Sequence, residues 1–248
     1  MNVKAYKTHK ILPNEDLFAI LDKYLPELSE KSVVAIASKV VGTCEGRVIK
    51  IDPNDPNQKD KLVKQEADYY LPKHERGFYL TVKHDMLVVS AGLDESNIKD
   101  SFSLWPENPQ ESANRIREYL TEKHNLKYLG IIITDSKASP LRWGVTGYSL
   151  KHSGFSALKN YIGKEDIFGR VMKLEQLNIA DSLATAAVSI MGEGAEQQPL
   201  AVISDLPFVD FQERNPTQKE LDDLKIEHEE DIYGSLLTSA PWEKKVKE

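Results

Sequence analysis

Hydrophobic positions along the chain change period several times, and each change marks a boundary between elements. From Leu17 to Leu28 apolar residues recur at helical spacing (Leu17, Leu21, Tyr24, Leu25, Leu28), behind an acidic start at Glu15 and Asp16 that suits a helix N-terminus. Ser32 to Ser38, SVVAIAS, is a β-branched run that reads as a buried strand; GTCEGR breaks it and VIKI resumes it. DPNDPNQKD is polar and punctuated by proline, the pattern of a loop. FYLTVKHDMLVVSAG reads as two strands around His84-Asp85, a hairpin.

Asn108-Pro109-Gln110-Glu111 opens a helix: Asn108 caps, Pro109 suits the first helical position, and Glu111 completes a capping-box-like pair. Ala113, Ile116 and Leu120 then share one face. YLGIIITDS is a continuous apolar run ending in polar residues, as in a fully buried strand, and LRWGVTGYSL reads as another strand. A second helix is expected from about Gln176 to Met191, with Ile179, Leu183, Ala187 and Ile190 in one stripe and Gly192 as its stop. LAVISDL is a late strand, and Lys219 to Tyr233 reads as an acidic surface helix. Strands and helices mix without strict alternation, which predicts an α+β fold of mixed sheets with packed helices.

Composition narrows the function more than the fold. A chain of 248 residues buries a sizeable core and sits where one core begins to split into two interlocked ones. Asp and Glu number 39 against 32 Lys and Arg, a net charge of −7, which argues against a general nucleic-acid binder. A phosphate-bearing partner then requires a local site or bridging metal ions. The single cysteine, Cys44, has no internal disulfide partner, so a reducing cytoplasm is the expectation. No apolar stretch approaches the length of a membrane span, and the start, MNVKAYKTHK, lacks the apolar core of a signal peptide.

Three acids stand where hydrophobic elements end: Asp94 after VVSAGL, Asp135 after GIIIT, and Glu193 after the Ala-rich helix. Carboxylates gathered at element ends are hard oxygen ligands for Mg²⁺ or Mn²⁺, especially when phosphates complete the shell. An aspartate after a strand serves equally as a turn former or helix cap. Ser96 and Asn97 either bind a ligand or hold their turn, and Gly192 and Gly194 either cradle a phosphate or end a helix. Among basic residues Lys39, Arg47, Arg142 and Arg170, Lys39 is the most unusual, because it follows directly on a buried run. GxxxxGK[ST], GxGxxG after a strand, GxSxG and zinc-finger spacing are all absent from the sequence.

Assembled in order, these segments resemble the coenzyme F420-0:γ-glutamyl ligase family. The resemblance is carried by ASKVVGTCEGR (37–47), SAGLDESN (90–97) with LWPENPQESA (104–113), and GIIITDS (130–136) with RWGVTG (142–147). It continues through GKEDIFGR (163–170), IADSLATAA (179–187) and MGEG (191–194), so that residues 8–209 form the catalytic region and 210–248 an acidic C-terminal helix and tail. It implies an F420 ligase-like fold of two interlocked subdomains and a homodimer. It also implies nucleotide-driven amide formation: GTP (or ATP) phosphorylates an acceptor carboxylate, and L-glutamate attacks the acyl phosphate. By the same resemblance Asp94 and Asp135 hold one divalent ion (Mg²⁺ or Mn²⁺), and Ser136 and Glu193 hold a second. Ser38, Lys39, Asn97 and the Met191–Gln198 loop, with Met191, Gly192, Gly194 and Gln198, match nucleotide-contacting positions.

Departures concentrate at the rim. The family's N-terminal contact segment, with its Leu-Pro start, falls on Thr8-His9-Lys10-Ile11. A family lysine near the nucleotide is Thr43 here, and the usual Asp-Thr-x-Gly-Arg is Asp135-Ser136-Lys137-Ala138-Ser139. A small residue expected after Ser149-Leu150 is Lys151. Retained metal positions with a rewritten rim favour the same reaction class on a different acceptor, of a cofactor type that is F420-0-like or, alternatively, folate. Two other readings are a non-catalytic descendant that binds nucleotide without turnover, and an interaction protein that docks through residues 217–232.

Overall fold

The computed structural model describes residues 1–245. In chain order they form β1 (Asn2–Tyr6), α1 (Leu17–Tyr24), β2 (Ser32–Ala37), α2 (Ser38–Cys44), β3 (Val48–Lys50), α3 (Gln58–Glu66), β4 (Tyr69–Tyr70), β5 (Leu80–Lys83) and β6 (Met86–Val89). A 3-10 turn at Ser90–Gly92 leads to β7 (Ser101–Ser103), α4 (Pro109–His124), β8 (Leu129–Ala138) and β9 (Val145–Ser153). There follow β10 (Leu158–Asn160), β11 (Gln176–Asn178), α5 (Ile179–Met191), β12 (Leu200–Ser204), α6 (Gln218–Asp222), α7 (Gly234–Ser239) and β13 (Glu243–Lys244).

The most apolar segments make a five-stranded sheet in the order β1-β12-β2-β8-β9, in which only β2 and β8 run parallel. Burial on both faces is what SVVAIA and LGIIIT require. Leu21 of α1 and Ala113, Ile116 and Leu120 of α4 cover one face, against Val34, Ile131 and Ile133. Leu183, Ala184 and Ala187 of α5 cover the other, against Val33, Ala35 and Ile132. Each fully buried Leu or Ile contributes about 1.5–3 kcal/mol. The start of α4 forms as its sequence predicts: Asn108 Oδ1 accepts from the Glu111 amide at 3.2 Å, with Pro109 in the first turn.

Between α2 and α4 the chain builds a second, smaller unit. Its sheet runs β13-β4-β5-β6, and its core gathers Val63, Ala67, Tyr70, Tyr79, Phe102 and Leu104. His84 and Asp85 both take positive φ, as a two-residue hairpin turn demands. The tail returns to this unit: Lys225 pairs with Asp85 at 3.0 Å and β13 pairs with β4. The α+β expectation is therefore borne out.

Several local readings change, among them the start of α5, since Gln176–Asn178 is strand β11. The expected helix over Lys219–Tyr233 is confined to α6, Gln218–Asp222, which Thr217 and Glu220 close with a capping box. Ile190 is half exposed, and Met191 takes its place in the core stripe of α5. GTCEGR does not simply interrupt a strand, because Ser38–Cys44 is helical. A Cβ on Gly42 would lie 2.2 Å from the Leu104 carbonyl oxygen, so α2 docks there only through glycine.

His152 is buried beside Phe155, and desolvation lowers its pKa from 6.5 to about 4. The unfolded chain then binds a proton that the folded one refuses, so its contribution to stability is lost as pH falls from 6.5 towards 4. His152→Gln removes this dependence. Denaturant titrations should show the wild type losing about 3 kcal/mol relative to that variant between pH 7 and pH 4. Parallel pH profiles would rule the assignment out.

Candidate functional site

Parallel pairing of β2 with β8 sets Ala37 opposite Thr134, so the next residues, Ser38 and Asp135, meet where that pairing ends and β8 runs on against β9 alone. Ser38 Oγ donates to Asp135 Oδ2 at 3.1 Å, the Ser136 amide donates to Oδ1 at 2.7 Å, and the indole N–H of Trp105 donates to Oδ2. Desolvation pushes the Asp135 carboxyl up to about 6, against these hydrogen bonds, and the nearby Asp94 charge adds to the rise.

Asp94 arrives from the smaller unit. Ser90, Ala91 and Gly92 take positive φ in succession, a costly conformation for the two residues with a Cβ. Three anchors hold it: the Ser90 amide donates to the Tyr79 carbonyl at 2.8 Å, the Ala91 amide to Thr81 Oγ1 at 2.9 Å, and the Leu93 amide to the Ser90 carbonyl at 2.9 Å. Asp94 then bridges Ser103 by backbone hydrogen bonds. Its carboxylate accepts from Lys39 Nζ at 2.6 Å and from the amide and hydroxyl of Ser96 at 2.8 and 2.7 Å. Desolvation opposes ionisation here, but the bonds from Lys39 and Ser96 hold the carboxyl below the usual aspartate range.

These groups enclose a cavity of about 40 Å³ lined by Ser38, Lys39, Asp94, Trp105 and Asp135. That is room for one to a few water-sized groups. Among the described residues no three His, Cys, Asp or Glu side chains gather as a metal cage. The protein thus offers one ion at most two carboxylates, with hydroxyl oxygens beside them. Such a sparse, all-oxygen set suits Mg²⁺ or Mn²⁺ that draws its remaining ligands from phosphates and water, not an ion held by protein alone. Asp135 also fits a cation chemically, being desolvated while the Lys39 ammonium sits on Asp94.

A second group lies alongside. Ser136 Oγ donates to Glu193 Oε2 at 3.2 Å, and Asn97 Nδ2 donates to the Gly194 carbonyl at 3.0 Å. The loop after α5 is therefore tied to both units. Its shape depends on Gly192, at φ +82°, where a Cβ would lie 2.4 Å from the Glu196 carboxyl carbon. Thr8 joins it, exchanging hydrogen bonds with Gln197.

The sequence-predicted residues thus divide. Ser38, Lys39, Asp94 and Asp135 form one cluster, and Asn97, Ser136, Glu193 and Gly194 form its neighbour. The Met191 side chain points into the core, which leaves its backbone at the loop's start. Gln198 is half-buried on the loop. Thr43 is buried, while Ser139, Arg142 and Arg170 are exposed and outside the cluster. Arg47 pairs with Glu66 and Glu107. Trp105 is the site residue that sequence reading missed; a buried indole N–H needs an acceptor, and that requirement is the signal that was available.

Cys44 lies apart, on a 330 Å³ cavity with Glu15, Asp16 and Glu45. Desolvation, then those three carboxylates, push its thiol up to about 12. The native protein should resist iodoacetamide at pH 7.5, whereas denatured protein reacts, as intact mass will show. Rapid labelling of the native chain would contradict this.

Comparison with known proteins sets the class: this chain falls among the amide-bond-forming acid–amino-acid ligases. It belongs to the F420-0:γ-glutamyl ligase family, whose model matches residues 5–205. The coenzyme F420:L-glutamate ligase of Methanocaldococcus jannaschii is 33% identical over 222 residues, covering 83% of this chain and 86% of that protein. The enzyme of the same name from Methanosarcina barkeri is 36% identical over 209 residues, covering 78% and 81%. That of Methanococcus maripaludis strain C7 is 34% identical over 249 residues, covering 94% and 97%. The family resemblance carried by the motifs is borne out. No helix among the described residues is long and apolar enough to cross a membrane.

Proposed function

We propose that this protein is a nucleotide- and divalent-metal-dependent γ-glutamyl ligase, joining L-glutamate to a carboxylate of an F420-0-like acceptor. The observation that carries the reading is the meeting of Asp94, Asp135, Ser38 and Lys39 in one small cavity beside the Gly192–Gln198 loop. An acceptor carboxylate oxygen attacks the γ-phosphorus of GTP or ATP, and the nucleoside diphosphate leaves. The glutamate amine then attacks the acyl carbon, phosphate leaves, and the amine gives up a proton.

Phosphoryl transfer of this kind rests on positioning and charge stabilisation. Mg²⁺ or Mn²⁺, held by Asp94 and Asp135 with a second ion at Ser136 and Glu193, would neutralise phosphate charge. Lys39 supplies a fixed positive charge at the cavity wall and can turn from Asp94 to a phosphate oxygen. Asn97 holds the loop through the Gly194 carbonyl.

A second copy of the chain completes the reading. Leu141 and Trp143 at the β8–β9 turn, and Ile167, Phe168 and Leu174 on the arm carried by β10 and β11, are nearly fully exposed. Two strands of three residues do not stabilise such an arm alone, and a homodimer would cover it. Ile167→Asp with Phe168→Asp should convert a dimer into a monomer in analytical ultracentrifugation. A wild-type monomer at micromolar concentration would contradict the dimer.

The activity test incubates the protein with GTP or ATP, Mg²⁺ or Mn²⁺, L-glutamate and either F420-0 or tetrahydrofolate, and reads acceptor mass. A glutamyl increment on F420-0 is expected. An increment on folate alone would replace the acceptor, and none on either acceptor would overturn the proposal even if nucleotide binds.

A further inference from the structure

Asp135 lies in β8 just past its pairing with β2, lining the cavity, and its orientation is imposed by neighbours. Two donors converge on Oδ2, from Ser38 and Trp105, while Oδ1 accepts only the Ser136 amide. A carboxylate has about four lone-pair sites, so this arrangement fixes the plane of the group and leaves Oδ1 capacity for a further ligand.

Trp105 is itself held on every side. It is 2% exposed. Arg47 Nε donates to its carbonyl at 3.2 Å, and the Leu104 amide donates to the Arg47 carbonyl at 2.9 Å. The His84 ring stacks at 6.1 Å and 16°. On the ring's edge Gly92 has no side chain, and a Cβ there would fall 2.1 Å from Cε2. The Lys83 ammonium lies 5.2 Å from the ring centroid, and Glu66 fixes it at 2.6 Å. Lys83 is buried, so solvent screens its charge little, and the Glu66 carboxylate offsets only part of it at the ring. A cation over the ring draws electron density from the indole and makes its N–H a stronger donor.

We propose that Trp105 is a positioning residue for the metal-binding carboxylate, orienting Asp135 through its indole N–H, with Lys83 strengthening that donor. This rests on the reading of Asp135 as a metal ligand. Groups that orient a ligand in this way are typically worth about 10- to 100-fold in metal affinity. A tryptophan that only filled the core would act through its shape and not through its N–H.

The test separates shape from hydrogen bonding. Trp105→3-benzothienylalanine, introduced by codon reassignment at that position alone, keeps the bicyclic shape and replaces N–H by sulfur. Mn²⁺ binding is measured by the electron paramagnetic resonance of free Mn²⁺, beside thermal unfolding of the metal-free protein. The expected result is an affinity about 10- to 100-fold weaker, with the protein folded and its melting temperature lower by only about 2–8 °C. Lys83→Met, which leaves Glu66 paired with Arg47, should weaken affinity by a smaller factor. Asp135→Asn serves as the control. If Asp135→Asn weakens binding but the tryptophan analogue stays within twofold of wild type, the positioning role is overturned alone. If Asp135→Asn also binds Mn²⁺ like wild type, the metal reading fails and the proposal with it.

Discussion

Replacing Asp135 with asparagine is expected to lower glutamyl transfer by about a thousandfold or more, with the protein still folded. A thousandfold is about 4 kcal/mol of transition-state stabilisation, the scale on which a divalent ion acts at a phosphoryl group. Stability should change little because two effects oppose. The amide removes a carboxylate whose desolvation has pushed it up to about 6, a relief of roughly 3 kcal/mol at neutral pH. It also turns an NH₂ towards donors that had met oxygen, the Trp105 indole and Ser38 on one side or the Ser136 amide on the other, which costs about 1–3 kcal/mol. Product mass analysis and a melting curve on the same sample check both halves. An active Asp135→Asn enzyme would remove this carboxylate from the mechanism.

Gly92→Ala should be the most damaging single methyl in the smaller unit. The residue sits at φ +72°, where an L side chain costs about 1–2 kcal/mol, and the new Cβ overlaps the buried Trp105 ring. Overpacking adds about 1–3 kcal/mol. The sum, about 3 kcal/mol or more, corresponds to a fall in melting temperature of about 10 °C for a chain of this size. The new methyl pushes on the edge of the indole that carries its N–H, which shifts that donor off Asp135, and Mn²⁺ affinity should fall in parallel. Ala91→Gly, which relaxes a neighbouring positive φ, should leave the metal site intact. A Gly92→Ala protein that melts within 2 °C of wild type would contradict the packing described.

What was legible in the sequence follows from how local each cause is. The α4 cap, the His84-Asp85 turn and the apolar run of β8 are determined within a few residues, and they form as read. Helix α2 was illegible because SKVVGTC has β-branched residues and a glycine, and only contact with the Leu104 carbonyl explains why the glycine is needed. The tail helix shortens because its charged residues bury no apolar stripe; the chain turns instead, and Lys225 reaches Asp85.

At the site, the ends of apolar runs pointed to Asp94 and Asp135. That they meet depends on the parallel register of β2 with β8 and on the left-handed turn at residues 90–92, neither of which has a local signature. Trp105 stood in the sequence only as part of LWPENPQESA; it is buried in the core, and its indole N–H reaches Asp135, thirty residues away. The rim was read as loss of charge at Thr43 and Ser139, with Lys151 in place of a small residue. The irregularity at Ile133/Thr134 leaves Leu150 unpaired, so that Lys151 follows Tyr148 onto the face that carries Asp135, a shift with no signature in the sequence.

The central claim is that a nucleotide's phosphates meet divalent metal between the two units, against Asp94 and Asp135. Crystals grown with Mn²⁺ and a non-hydrolysable GTP analogue test it by anomalous scattering at the manganese edge. The expected map has one peak within coordination distance of both the Asp94 and Asp135 carboxylates and a second beside Ser136 and Glu193, each also touching a phosphate oxygen. Nucleotide bound elsewhere, or manganese peaks that leave Asp94 and Asp135 untouched, would contradict it.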